Sequence, residues 1–139
     1  MAEYILKKKC AENNLDWEIA SAGTENYHVG NGADERGVRT ALKRGVNMSS
    51  HRARQLKQKD FEYYDVIYSL ATDVTNEIFL IARSDARMKK VNSFMDELFP
   101  GEKLSVPDPW YGNEKDFEPV FELIEKVCDK IISEKKYLD

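Results

Sequence analysis

The sequence is poor in residues that would staple or anchor it. Its 139 residues hold two cysteines, Cys10 and Cys128, near opposite ends. Two are too few for a disulfide framework. The seven glycines and four prolines form no repeat, low-complexity tract or linker, so the chain reads as a single domain over residues 1–139. No apolar run approaches the roughly 18 residues that a membrane span requires. The opening MAEYILKKKC lacks the basic start and apolar middle of a signal peptide. A cytoplasmic location is the resulting expectation, with no membrane as partner. The two histidines, His28 and His51, and the two cysteines have no metal-ligand spacing, so neither a metal nor any other cofactor is expected. No excess of positive charge is present either: 21 Lys+Arg stand against 25 Asp+Glu, for a net charge of -4. The interspersed signs and a sequence pI near 5.3 argue against a nucleic-acid groove, and no nucleic-acid partner is expected.

What is present is enough for a core. The chain is 42% hydrophobic and 33% charged, and a domain of about this length buries roughly 68–70% of its unfolded surface. Ala2, Ile5, Leu6 and Cys10 recur at helical spacing, with the exposed face carrying Lys7–Lys9, and predict a helix over 2–12. WEIASA at Trp17–Ala22 has the composition of a short strand running into Gly23-Thr24. Asp34 is placed to cap a second helix that carries Val38 and Leu42 and ends at Gly45. A capped turn near Asp60 leads to a buried strand at Val66–Leu70. Asp73–Ala82 reads as helix, KKVNSFM as a further strand, and Glu118–Lys135 as a closing helix with Val120, Ile124, Val127 and Ile131 inward. Strands alternating with helices indicate an α/β fold built on a parallel sheet. Such sheets bind ligands beyond the carboxyl ends of their strands, here the loops 21–32, 48–56 and 105–115.

The most informative string is Val106-Pro107-Asp108-Pro109-Trp110-Tyr111-Gly112. Proline fixes its own φ and restricts the residue before it, so the backbone around Asp108 is stiff. Taken alone, the string fits a rigid surface turn as well as a presented carboxylate, and Trp110 and Tyr111 fit loop anchors as well as ligand walls. Arg52 and Arg54 beside His51 fit an anion-attracting cluster or acid-paired surface residues. Asp34–Gly37, D-x-R-G, fits a helix cap and packing contact, and His28 a solvated loop position.

Taken in order, MAE at the start, SAGT at Ser21–Thr24, D-x-R-G at Asp34–Gly37, M-S-x-H-R-A-R-Q at Met48–Gln55, Asp60-Phe61 and DPWYG at 108–112 resemble the low-molecular-weight protein tyrosine phosphatase family over essentially the whole chain. The resemblance implies a three-layer α/β/α fold around a central parallel sheet, of the phosphotyrosine protein phosphatase I type. It also implies hydrolysis of phosphotyrosine, in a protein or a small aryl phosphate, through a cysteinyl-phosphate intermediate and without metal. By resemblance Asp108 is the general acid, and Trp110 and Tyr111 pack on the substrate ring with Tyr27 as the opposite wall. Ser21 and His51 match the serine and histidine that hydrogen-bond to the family's phosphate loop.

One departure is decisive. The family's nucleophile lies in a C-x5-R-[ST] loop, and here Asp16 stands six residues after Cys10 and Glu134 six after Cys128. Neither cysteine can be that nucleophile, and both read as core residues of helices. In the family, Met-Ala-Glu directly follows the phosphate loop, so a shortened N-terminus is expected, lacking the first central strand, the nucleophile and the phosphate-clamping arginine. The chain as written is therefore expected to be inactive, weakly stable and prone to self-association through an exposed sheet edge. The competing reading is a phosphotyrosine- or protein-binding pseudophosphatase. Arsenate reduction is disfavoured because no relay cysteines occur in the central region. Phosphoarginine hydrolysis is disfavoured because Trp110-Tyr111 favours an aryl ester.

Overall fold

A computed structural model describes residues 1–24, 29–109 and 112–135. Its helices are α1 (Ala2–Glu12), α2 (Glu35–Lys43), α3 (Gln58–Tyr63), α4 (Thr75–Ala82), α5 (Asp85–Met88) and α6 (Phe117–Lys135), and its strands are β1 (Ile67–Ser69) and β2 (Val91–Ser93). Short 3-10 turns occupy Thr72–Val74, Phe94–Glu97 and Glu114–Asp116. Helices with a small parallel sheet make an α/β fold. Among the described residues no helix is long and apolar enough to cross a membrane. The chain forms two compact units.

The first unit comprises Met1–Ser21, Gly30–Arg52 and the chain from Pro107 onward. Its spine is α6, whose apolar residues recur every three or four positions and so fall on one face. Val120, Phe121, Ile124, Val127, Cys128, Ile131 and Ile132 are all buried, each large side chain contributing about 1.5–3 kcal/mol when fully buried. Helices α1 and α2 pack on this face, adding Ile5, Cys10, Thr40 and Ala41 to the core. Lys9 does not stay in solvent with Lys7 and Lys8: it pairs with Asp129 of α6 at 2.8 Å. Helix α2 starts where Asp34 accepts the Arg36 N–H at 2.9 Å and stops at Gly45, whose φ of 81° suits glycine.

The second unit comprises Ala53–Val106 and the described residues of 22–29. Phe61, Ile78 and Ala82 form its core, with Leu56, Ile67, Val74, Ile81, Met88 and Val91 packed around them. Strands β1 and β2 pair in parallel, Ile67 opposite Val91 and Ser69 opposite Ser93. Parallel pairing needs a crossover, which α4 and α5 supply. The Val106 N–H donates to the Leu70 carbonyl at 2.7 Å, fixing the chain just past β1.

Two expectations need correction. Trp17–Ala22 is not a strand: pairing begins only at Gly23, whose N–H donates to the Arg54 carbonyl at 2.9 Å and whose carbonyl accepts from Leu56 at 2.7 Å. Composition favours extension, but a strand exists only where a neighbouring backbone takes up its N–H and C=O groups. The strand expected in KKVNSFM is present but shorter, Val91–Ser93. From Phe94 the chain enters the 3-10 turn Phe94–Glu97, which buries Phe94 and Met95.

Candidate active site

Two groups of candidate residues lie in the first unit. In the first group, α1 presents Glu3 in its opening turn, and Ser21 Oγ donates to Glu3 Oε1 at 2.5 Å. His51 Nδ1 stands 3.8 Å from the same oxygen and 3.3 Å from the Tyr4 hydroxyl. The His51 ring meets Tyr4 edge-on, with centroids 5.5 Å apart. Lys7, one turn along α1, donates to Glu3 Oε2 at 2.6 Å. The structure thus brings Ser21 and His51 to one carboxylate, although 30 residues separate them in sequence.

The electrostatics follow from this packing. Burial alone would push the Glu3 carboxyl up, but hydrogen bonds from Lys7 and Ser21 and the charges of Lys7 and His51 bring it below its ordinary value. Burial lowers the His51 value, and the nearby positive charges of Lys7 and Arg52 add to that against the opposing pull of Glu3. A neutral imidazole is therefore favoured at neutral pH, suited to hydrogen-bonding rather than ion pairing. Glu3 is the centre of this group, and sequence reasoning saw it only as part of MAE. Its signal was an acid in the first helical turn with a lysine four residues on.

The second group surrounds Asp108. Asp108 is exposed between Pro107 and Pro109, beside a cavity of about 310 Å³. Pro107, Pro109, Pro119, Val120 and Leu123 line the cavity with the Asp108 and Asp116 carboxylates. An apolar groove can accept an aromatic ring, and a carboxyl group at its edge can, when protonated, give its proton to an oxygen on that ring. The expected substrate walls Tyr27, Trp110 and Tyr111 lie outside the described residues. Gly112 is described, and its lack of a side chain matters: a Cβ there would collide with the Asp116 carboxylate, which accepts the Asn113 N–H at 2.8 Å.

The remaining candidates resolve into ordinary roles. Arg54 clasps Asp60 through both carboxylate oxygens, at 3.2 and 3.1 Å. Arg52 donates to its neighbour's carbonyl, that of His51, at 2.7 Å. Cys10 and Cys128 are free thiols and both are buried. Burial pushes the Cys128 thiol up to about 12, so it stays protonated at neutral pH and is no nucleophile. Among the described residues no cluster of His, Cys, Asp and Glu could hold a metal ion.

Comparison with known proteins adds independent information. The model of the family described as low molecular weight phosphotyrosine protein phosphatase matches residues 1–138. A low molecular weight phosphotyrosine protein phosphatase from Gallus gallus is 35% identical over 133 residues, covering 92% of this chain and 82% of that protein. A crystal structure of a protein tyrosine phosphatase from Entamoeba histolytica, with Hepes in its active site, matches with a TM-score of 0.86 at 30% identity, covering 97% of this chain and 86% of that one. A low molecular weight phosphotyrosine phosphatase from Vibrio cholerae gives a TM-score of 0.87 over 99% of this chain and 88% of that one. At 23% identity that last likeness shows the fold alone.

Proposed function

The chain belongs to the low molecular weight phosphotyrosine protein phosphatase family, and from that membership we propose that it supplies the general acid and the substrate walls for hydrolysis of phosphotyrosine esters. The observation that carries this reading is the family match over residues 1–138 together with Asp108 held between two prolines at the edge of an apolar groove. In the reaction a cysteine thiolate attacks phosphorus, and the bond from phosphorus to the phenolic oxygen breaks. Asp108 gives its proton to the departing phenolate. Its carboxylate then takes a proton from the water that attacks the phosphocysteine, releasing phosphate and restoring both groups. Trp110 and Tyr111 on one side and Tyr27 on the other enclose the aryl ring. Ser21 and His51, held together by Glu3, support the phosphate loop.

That loop needs C-x5-R, which residues 1–139 do not contain. The chain as written is therefore proposed to be inactive, and it is compared with the same chain preceded by a strand and a C-x5-R-S segment. Hydrolysis of phenyl phosphate, whose leaving group needs protonation, is expected only from the extended chain, with Asp108→Ala lowering its rate by about 10²–10⁴, the usual worth of a positioned acid. Turnover by residues 1–139 alone would overturn the account of the nucleophile. An inactive extended chain that still binds a phosphotyrosine peptide by calorimetry would favour a pseudophosphatase.

A further inference from the structure

We infer that Arg36 is a positioning residue that holds Gly112, and through it Pro109 beside Asp108, against α2, an inference that rests on the reading of Asp108 as the general acid. Its guanidinium lies side-on to Asp34, Nε donating to Oδ1 at 3.1 Å and Nη2 to Oδ2 at 2.7 Å. The paired bonds fix the plane of the guanidinium. Nη1 is left to reach across and donate to the Gly112 carbonyl at 2.5 Å. Phe117 closes another side, its ring centroid 5.0 Å from the guanidinium carbon. Gly112 is coupled to the acid's neighbour, because its N–H donates to the Pro109 carbonyl at 2.9 Å. Arg36 therefore holds a residue hydrogen-bonded to the proline that follows Asp108.

Two further contacts act in the same direction. Arg39 and Lys43, on the same face of α2 by their spacing, hold Glu114 at 2.6 and 3.1 Å. The hydrogen bond and charge of Asp34 raise the Arg36 value, and the charges of Asp108 and Asp116 add to it. A general acid works only within about 2.6–3.2 Å of the oxygen it protonates. A displacement of about 1 Å can cost 10²-fold. The D-x-R-G string thus joins two tasks: Asp34 caps α2 and orients the arginine, and Arg36 anchors the acid segment.

The test has two arms. In residues 1–139, Arg36→Gln is expected to speed amide exchange in peptides spanning 106–113 by about threefold or more, with α1 peptides unchanged. Arg36→Lys keeps the charge without the fork, and is expected to give an intermediate effect in a chain that stays folded. Unchanged exchange in both variants would overturn the inference. In the extended chain, Arg36→Gln is expected to lower kcat about tenfold on phenyl phosphate but by less than about threefold on p-nitrophenyl phosphate, at unchanged KM. The more acidic phenol leaves without full protonation, so only the poorer leaving group feels a displaced acid. Equal losses on both esters would mean a merely structural role. Asp108→Ala separates the two failures. If its own loss is equal on both esters, the assignment of the acid fails; if Asp108→Ala is selective and Arg36→Gln is not, only the role of Arg36 fails.

Discussion

Asp60 shows how much one side chain can carry in this molecule. It is 5% exposed, and burial alone would raise its carboxyl value. The Arg54 hydrogen bonds, the Lys57 N–H at 2.8 Å and the surrounding positive charge reverse that and lower it. Asp60→Ala removes the acceptor from both donors at the start of α3 and leaves the Lys57 N–H to water or to nothing. The expected cost is about 2 kcal/mol, the usual penalty for stripping a buried hydrogen-bonded carboxylate. Asp60→Asn keeps one acceptor oxygen and should cost less. Urea denaturation of the three chains reads this directly, and equal midpoints would show that Arg54 contributes nothing through Asp60. The sequence displays Asp60 and Arg54 but not their contact, since a six-residue separation fixes no geometry outside a regular element. The same holds for Ser21, His51 and Glu3, whose meeting depends on how α1 lies against two distant loops.

Elements were legible where one periodicity runs long enough to specify a face. Helix α6 has about five turns of apolar residues, so its inward positions could be named from spacing, and Val120, Ile124, Val127 and Ile131 are indeed buried. Helices α1 and α2 were similarly readable because an apolar stripe in α1, and a cap and a terminating glycine in α2, agree with one another. Short strands were less so: three residues of β1 or β2 carry a weak pattern, and Trp17–Ala22 carries a strand's composition while the parallel bridge forms only at Gly23. Prolines mark the stretch around Asp108 in the sequence, while the hydrogen bond from Arg36 to the Gly112 carbonyl spans 76 residues and leaves no signal there. Energetically α6 should be the least tolerant element. Phe121→Ala, at a position 1% exposed, is expected to cost about 3–5 kcal/mol through lost burial and an unfilled cavity. Leu80→Ala on α4, at a position 69% exposed, should stay within about 0.5 kcal/mol. Thermal or urea midpoints check the contrast, and comparable losses would mean that Leu80 is covered in solution.

For the whole molecule, the perturbed acids and the imidazole combine into a pH dependence of one sign. Glu3, Asp34, Asp60 and Glu114 all have lowered carboxyl values in the fold, and His51 is lowered by burial. Each binds its proton less readily folded than unfolded. As pH falls, the unfolded chain takes up protons that the folded chain resists, and stability falls with it. The His51 contribution is complete above its unfolded value of ~6.5 and is lost as pH drops through the folded one. The carboxylate contributions are complete above ~4.3 and are lost below that in turn. On the alkaline side, burial opposes but the hydrogen bond and charge of Asp129 raise Lys9, so its contribution persists until pH rises through the lysine range. The urea midpoint should therefore decline gently below ~6.5 and steeply below ~4.3. His51→Gln should remove the gentle stage while leaving the steep one. A midpoint that rises between about pH 7 and pH 5 would contradict the direction of the His51 shift, and one that rises below about pH 4 would contradict those of the carboxylates. Solubility should worsen over the same gentle stage, because the net charge of -4 at pH 7 vanishes near the pI of 5.3, where self-repulsion no longer keeps partly opened chains apart.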